Sequence, residues 1–172
     1  LHEFIAFDRT GPFLKAITEG DDAGIVPNQD IHGKGQKDYI ILSHPDFLSQ
    51  ARQLAGFRSD RDGLDTLVLT PQQVYNEFSS GAPDVAAIRN MMKMLYDRST
   101  GEYDMPRYLL LFGDGSYDNT SGDSRNTNFI LTYQSTNSLN PTSSFVTDDF
   151  FGLLDDREGG SSGLVDIGVG RL

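Results

Sequence analysis

Residues 37–113 carry two rhythms of hydrophobic and polar positions. Tyr39-Ile40-Ile41-Leu42, Leu64-Asp65-Thr66-Leu67-Val68-Leu69 and Tyr108-Leu109-Leu110-Leu111-Phe112 are short runs dominated by apolar residues. Each reads as a strand, and the unbroken Tyr108-to-Phe112 run predicts one buried on both faces, as in parallel sheets covered by helices. Between the first two runs, Phe47, Leu48, Ala51, Leu54 and Ala55 recur at helical spacing and form one apolar face. Pro45 suits the first turn of that helix, with Ser43 or His44 as its cap, and Asp62-Gly63 turns the chain into the second strand. Thr70-Pro71-Gln72-Gln73 predicts another helix start: Thr70 caps, Pro71 takes the first position and Gln73 closes a capping box. Ser79-Ser80-Gly81-Ala82-Pro83 breaks that helix, and a longer one begins at Asp84. Val85, Ile88, Met91, Met92 and Leu95 share one side of it, with the methionines as core filler. Strand, helix, strand, helix and strand predict an α/β fold, a mostly parallel sheet with flanking helices joined by right-handed crossovers.

The flanks follow other patterns. Residues 1–36 contain a strand-like core, His2 to Phe7, followed by polar residues and glycines, and read as the end of a preceding β domain plus a linker. The α/β unit then occupies 37–172. Residues 118–145 are rich in Ser, Thr and Asn and are interrupted by one extended piece, Phe129 to Tyr133. A polar loop of this length inside a domain is more often functional than idle. Ser144 to Asp156, a turn at Glu158 to Gly163, and Val165 to Leu172 predict a hairpin-like β excursion and a final strand. Gly168 and Gly170, at alternate positions, would permit close packing on one face of that strand.

Composition narrows the function classes. A chain of 172 residues has room for one ordinary domain with a real core. The formal charge of −11 argues against a nucleic-acid surface. Residues 114–158 hold eight acidic residues and two arginines, so six of those negative charges fall there. With no cysteine, disulfides, thiolate catalysis and thiolate zinc sites are impossible within these residues. No apolar run is long enough to span a membrane, and no signal peptide opens the chain. The chain starts without methionine in strand-like residues and stops after another strand-like run, and so reads as a piece of a longer polypeptide.

Candidate chemistry gathers where the strongest strand ends. In parallel sheets, ligands sit outside the carboxyl ends of the strands. Asp114 opens the loop after Phe112 and is either a functional carboxylate or ordinary turn chemistry. Asp114, Asp118, Asp148 and Asp149 form the candidate metal set, with Asn119, Asp155 and Asp156 in neighbouring loops. Oxygen-rich groups suit hard cations, so Ca²⁺ is the candidate ion; a solvated acidic rim is the competing account. Asp114-Gly115-Ser116-Tyr117-Asp118 also approaches the D-x-S-x-S pattern of metal-dependent adhesion domains, with Asp118 in place of the last serine. That makes a metal-dependent adhesion or ligand-binding domain the alternative function. Phosphate-binding glycine loops are missing from the sequence, and no Gly-x-Ser-x-Gly falls at a predicted strand-to-helix turn as a nucleophilic elbow requires.

Tyr108 to Asn119 (Y-L-L-L-F-G-D-G-S-Y-D-N), Thr147 to Gly152 (T-D-D-F-F-G) and Asp166 to Leu172 (D-I-G-V-G-R-L) resemble the gingipain family, cysteine peptidases of the caspase-like clan. Asn28 to His32 (N-Q-D-I-H) and Val74 to Pro83 (V-Y-N-E-F-S-S-G-A-P) are similar to its surface-sortase branch, the signal peptidase of type IX secretion in Bacteroidetes. The resemblance implies a caspase-like (flavodoxin-like) first subdomain of a two-part peptidase domain. It also implies a secreted or cell-surface location, protein or peptide substrates, and a C-terminal catalytic half on the same chain as partner. In that family the catalytic His, in a His-Gly pair after a strand, and the catalytic Cys both belong to the second half. His32-Gly33 mimics the first of these, but it precedes the whole sheet and has no cysteine partner. His44 and His2 read as a cap-region and a surface residue. No catalytic residue is carried onto this chain, and no cofactor is required of it.

Overall fold

The apolar runs become parallel strands because each is long enough to cross the core once and is closed by a residue that ends it. The computed structural model describes residues 11, 28–119, 126–137, 139–160 and 163–172. The strand expected at 2–7, and most of the 1–36 segment, lie outside the described residues. The strands are β1 (Tyr39–Ser43), β2 (Thr66–Leu69), β3 (Tyr108–Phe112), β4 (Tyr133–Gln134), β5 (Val146–Thr147) and β6 (Gly168–Arg171); the helices are α1 (Leu48–Asp62), α2 (Pro71–Phe78) and α3 (Val85–Asp97). A four-stranded sheet has the order β2-β1-β3-β6, with every pairing parallel. Helix boundaries follow local chemistry. Both halves of the Thr70–Gln73 capping box form, Asp84 accepts the Ala86 N–H, and Gly63 closes α1 in the left-handed conformation that favours glycine.

Alternation along the strands sorts two cores. Ile40, Leu42, Leu109 and Leu111 face α2 and α3, packing on Val74, Ile88, Met91, Met92 and Leu95. Tyr39, Ile41 and Leu110 face α1, whose buried residues are only Ala51 and Ala55. The last crossover carries the expected β excursion as a small separate ladder, followed by the final strand β6. Ser144 to Asp156 does not pair with the final strand; β5 pairs antiparallel with β4, and Asp149–Gly152 winds into a 3-10 turn. Phe151, Leu153 and Leu154 are buried there, Phe151 and Leu154 within the core that faces α2 and α3. The connection from β3 to β6 must cover that face of the sheet, so its apolar run serves as a lid on the core rather than as a ladder partner. A Cβ on Gly152 would lie 2.8 Å from Val165 and 2.9 Å from Val169, so the turn closes onto β6 only without one.

The Asn28–His32 and Val74–Pro83 stretches meet in space around one carboxylate. Glu77, 15 % exposed, accepts the Ile31 N–H on both oxygens (2.8 and 2.9 Å), the His32 N–H (3.1 Å), Gln29 Nε2 (2.8 Å) and His32 Nδ1 (2.7 Å). Burial raises its pKa, but these hydrogen bonds from Ile31, Gln29 and His32 outweigh burial and hold it at about 2. The folded value lies below the ordinary 4.5, so this contribution is complete above that pH and is lost as pH falls towards 2. Glu77→Gln is therefore expected to destabilise the chain by about 1–3 kcal/mol at neutral pH, with the gap to wild type narrowing below about pH 4. Urea unfolding of both proteins across pH 2–7 checks this; a difference independent of pH would refute the assignment.

Candidate functional site at the carboxyl edge of the sheet

From β1 the chain leaves towards β2, and from β3 it leaves towards β6, so a switch point falls between the carboxyl ends of β1 and β3. In this chain that crevice is plugged. The His44 N–H donates to Phe112 O (3.1 Å), and the His44 ring rests on Phe129 at 4.5 Å between centroids. Phe47 meets Phe129 edge-on at 5.5 Å. A Cβ on Gly113, at φ +155°, would lie 3.1 Å from Phe129, so glycine permits the plug. Ser43 is buried beneath it and donates to His44 O (2.9 Å).

Asp114 sits in the next turn, exposed to solvent. One oxygen accepts Thr127 Oγ1 and the other the Gly115 N–H, both at 2.8 Å. Its carbonyl accepts the N–H groups of Phe129 and Ile130 at 3.0 Å. The Thr127 and Gly115 donors, with the positive charge of Arg171, hold the Asp114 carboxyl below its usual range. These contacts make Asp114 the organiser of the loop that returns over the sheet edge. Asn126 Nδ2 on Asp118 O (2.9 Å) and Asn128 Nδ2 on Asn119 (2.9 Å) continue that organisation.

Arg171, the last residue of β6, is the group that sequence reasoning missed. Its Nε and Nη2 clasp both oxygens of Asp148 at 2.7 Å, with the two side chains 18 % and 24 % exposed. Nη1 donates to Gly113 O (2.9 Å) and Ile130 O (3.0 Å), and Nη2 to Leu131 O (3.4 Å). One guanidinium therefore ties β6, the loop after β3 and the start of the 3-10 turn into a single rim. A Cβ on Gly115 would fall 2.9 Å from this guanidinium, so Gly115 makes room for it. The only sequence signal was a cation at the end of a strand, opposite an acid-rich stretch.

Among the described residues, no three of the expected metal set of Asp114, Asp118, Asp148 and Asp149 bring ligand oxygens within 4.8 Å of one another. Asp148 is taken up by Arg171, Asp114 by Thr127 and Gly115, and the Asp149 N–H donates to Thr147 Oγ1 (3.1 Å). Among the described residues, the carboxylates whose ligand oxygens lie within 4.8 Å of one another are Asp155, Glu158 and Asp166. Asp166 accepts the N–H of Leu154 (2.7 Å) and Asp155 (3.2 Å), and Glu158 Oε1 accepts that of Leu164 (3.1 Å). Glu158 Oε2 is buried with no hydrogen-bond partner among the described residues. Tyr96 donates to Asp155 (3.0 Å), and burial, followed by that bond, pushes its phenol up to about 12. Such an oxygen-only group could hold a hard divalent cation. If it does, millimolar Ca²⁺ should raise the melting temperature relative to chelator, and Glu158→Gln should remove the difference. Equal melting temperatures in the two buffers would leave the group as a solvated acidic rim.

His32 lies away from all of this. Its Nδ1 contacts Glu77 and its ring stacks on Phe78 at 4.5 Å, so His32-Gly33 belongs to the contact between 28–33 and α2.

Residues 32–172 match the model of peptidase family C25. Among solved structures, the crystal structure of dimeric latent PorU from Porphyromonas gingivalis is similar to this chain, with a TM-score of 0.71 and 41 % sequence identity. The match covers 85 % of this chain and 15 % of that one, so the chain spans about 15 % of the length of that relative. No curated protein matches the chain.

Proposed function

Because the chain belongs to peptidase family C25, the gingipain family, we propose that residues 37–172 are the first, non-catalytic α/β subdomain of a sortase-type cysteine endopeptidase. Residues 1–36 would be the end of a preceding β domain and its linker. The observation that carries this reading is a C25 scaffold with no cysteine anywhere in 172 residues. A thiol peptidase needs a thiolate and a base that activates it, and a thiolate cannot come from this sequence. Both would come from a companion half on the same polypeptide. The contribution of this half would be mechanical: it buttresses its neighbour and shapes one wall of the peptide cleft with the loops that Arg171 and Asp114 hold. The similarity to PorU, and the motifs shared with the surface-sortase branch, support a secreted, cell-surface protein of type IX secretion in Bacteroidetes. Among the described residues no helix is long and apolar enough to cross a membrane.

The test is hydrolysis of a mixed peptide library by this chain and by a longer polypeptide that carries the downstream cysteine. The chain alone is expected to cleave nothing, with or without reducing agent, while the longer polypeptide turns over substrate. Turnover by the chain alone, lost in His32→Ala, would overturn the reading and point to a cysteine-free site.

A further inference from the structure

The segment that enters the α/β unit has the composition of a linker and the contacts of a structural part. Only Ile31 among residues 28–36 is apolar, and Gly33 and Gly35 flank a lysine. Yet Ile31 is 2 % exposed and belongs to the core that faces α2 and α3. Beside it, Gln29 Nε2 donates to Gln73 O (2.7 Å) as well as to Glu77, and Asn76 Nδ2 donates back to Gln29 Oε1 (3.3 Å). At the other end, Gln36 Nε2 donates to Leu95 O (2.6 Å), in the last turn of α3, and to Asp104 O (2.9 Å). The last carbonyls of a helix lack partners within it, so Gln36 acts as a cap. Arg98 Nη1 closes the middle by donating to His32 O (2.6 Å). The glycines do not supply a hinge. Neither has a φ in the left-handed region. The Gly33 N–H donates to Asp30 Oδ1 (2.6 Å) and the Lys34 N–H to Ile31 O (3.1 Å), so the chain turns there by fixed bonds. A Cβ on Gly33 would run into the Asp30 carboxylate, whereas one on Gly35 would meet nothing within 4 Å.

We infer that residues 28–36 are a strap laid across α2 and α3, released as one unit at Glu77, that carries movement of the chain ahead of residue 28 to this helix pair. Glu77 takes four donor groups from three strap residues: Gln29 Nε2, the Ile31 and His32 N–H groups, and His32 Nδ1. These contacts do not break one at a time. Lifting Ile31 out of the core drags its own N–H and that of His32 away from the carboxylate. Losing the carboxylate leaves the partly buried Ile31 N–H without its acceptor. Segments bound in this way open as cooperative units. Because Gln36 stays fixed on Leu95 and Asp104, a displacement ahead of residue 28 is taken up by α2 and not by rotation within the strap. The α/β unit then begins at residue 28 rather than at 37. The inference does not depend on the peptidase reading, since every residue it uses lies within this chain.

Hydrogen exchange in the full polypeptide, resolved by peptide mass spectrometry, tests this without any assay of turnover. The 29–34 amides are expected to exchange at least about a hundredfold slower than those of a free peptide. Glu77→Ala should bring 29–34 close to the free rate while 39–43 keeps its protection. Ile31→Ala loosens the strap without altering α2, and should speed exchange of 71–78 but not of 66–69. The two glycines give a milder test. Gly33→Ala should speed exchange at 29–34 about tenfold or more, because the added methyl group meets the Asp30 carboxylate. Gly35→Ala should change it little. A flexible linker predicts another pattern, in which either alanine restricts the backbone alike. Free-rate exchange of 29–34 in the wild type, glycine variants that behave alike, or 71–78 unmoved by Ile31→Ala would overturn the inference. So would equal acceleration of 29–34 and 39–43 by Glu77→Ala, because the strap would then have no opening of its own.

Discussion

Leu111→Asp is expected to abolish folding of the α/β unit. Leu111 is 0 % exposed, lies in β3 opposite Leu42 on one side and Arg171 on the other, and faces the core beneath α2 and α3. A carboxylate there has no donor within the core, and a buried polar group without a partner costs several kcal/mol. The lost packing of a buried leucine adds about 2–5 kcal/mol. Together these rival the total stability of an ordinary domain, about 5–15 kcal/mol. Leu111→Met keeps the volume and should cost less than about 1.5 kcal/mol. Leu110→Asp is the informative neighbour, because Leu110 is 9 % exposed and lines an open groove beside α1, where water can reach a charge. Its cost in this chain should fall well below that of Leu111→Asp. Soluble yield and the cooperativity of thermal unfolding rank the three variants. A soluble, cooperatively melting Leu111→Asp would show that β3 is not the central strand of the core.

What the sequence made legible was whatever is decided within a few residues. Thr70 and Gln73 sit three apart and satisfy each other, so the start of α2 was readable, as were the Asp84 cap of α3 and the glycine that ends α1. Runs such as Ile40-Ile41-Leu42 and Leu109-Leu110-Leu111 identified the parallel strands for the same reason. The turn at Phe150-Phe151-Gly152-Leu153-Leu154 was not legible because a short apolar run carries no period, and only the need to roof the core beside α3 decides between strand and turn. β4 and β5 are two residues each, which is below what any pattern reveals. The site depended most on distance along the chain. Glu77 meets Ile31 across 46 residues, and Arg171 meets Asp148 across 23. The acidic richness of 114–158 was visible. Which carboxylates would find a cation, a hydroxyl or one another was fixed by the sheet that carries them.

Arg171→Met should unfasten that rim while leaving the centre of the sheet intact. The change removes both clasps on Asp148 and the donors to Gly113 O, Ile130 O and Leu131 O, and leaves a largely buried carboxylate without its cation. Breaking one partner of a buried pair costs about 3–5 kcal/mol, and the partial exposure of both groups places the expected loss at the lower end. Arg171→Lys should recover only part of it, because an ammonium cannot match two carboxylate oxygens and three carbonyls from one plane. The loss should also be local. Native-state hydrogen exchange is expected to show faster exchange at the Gly113, Ile130 and Leu172 amides, which lie on the segments that Arg171 joins, while β1 keeps its protection. Asp148→Ala should reproduce much of the effect, and the double variant should cost far less than the sum of the single ones, as expected for two ends of one contact. Additive costs in that cycle, or unchanged exchange at Gly113 and Leu172, would show that the strand-end loops stand without the Arg171 brace. The loops proposed to wall the peptide cleft would then need another support.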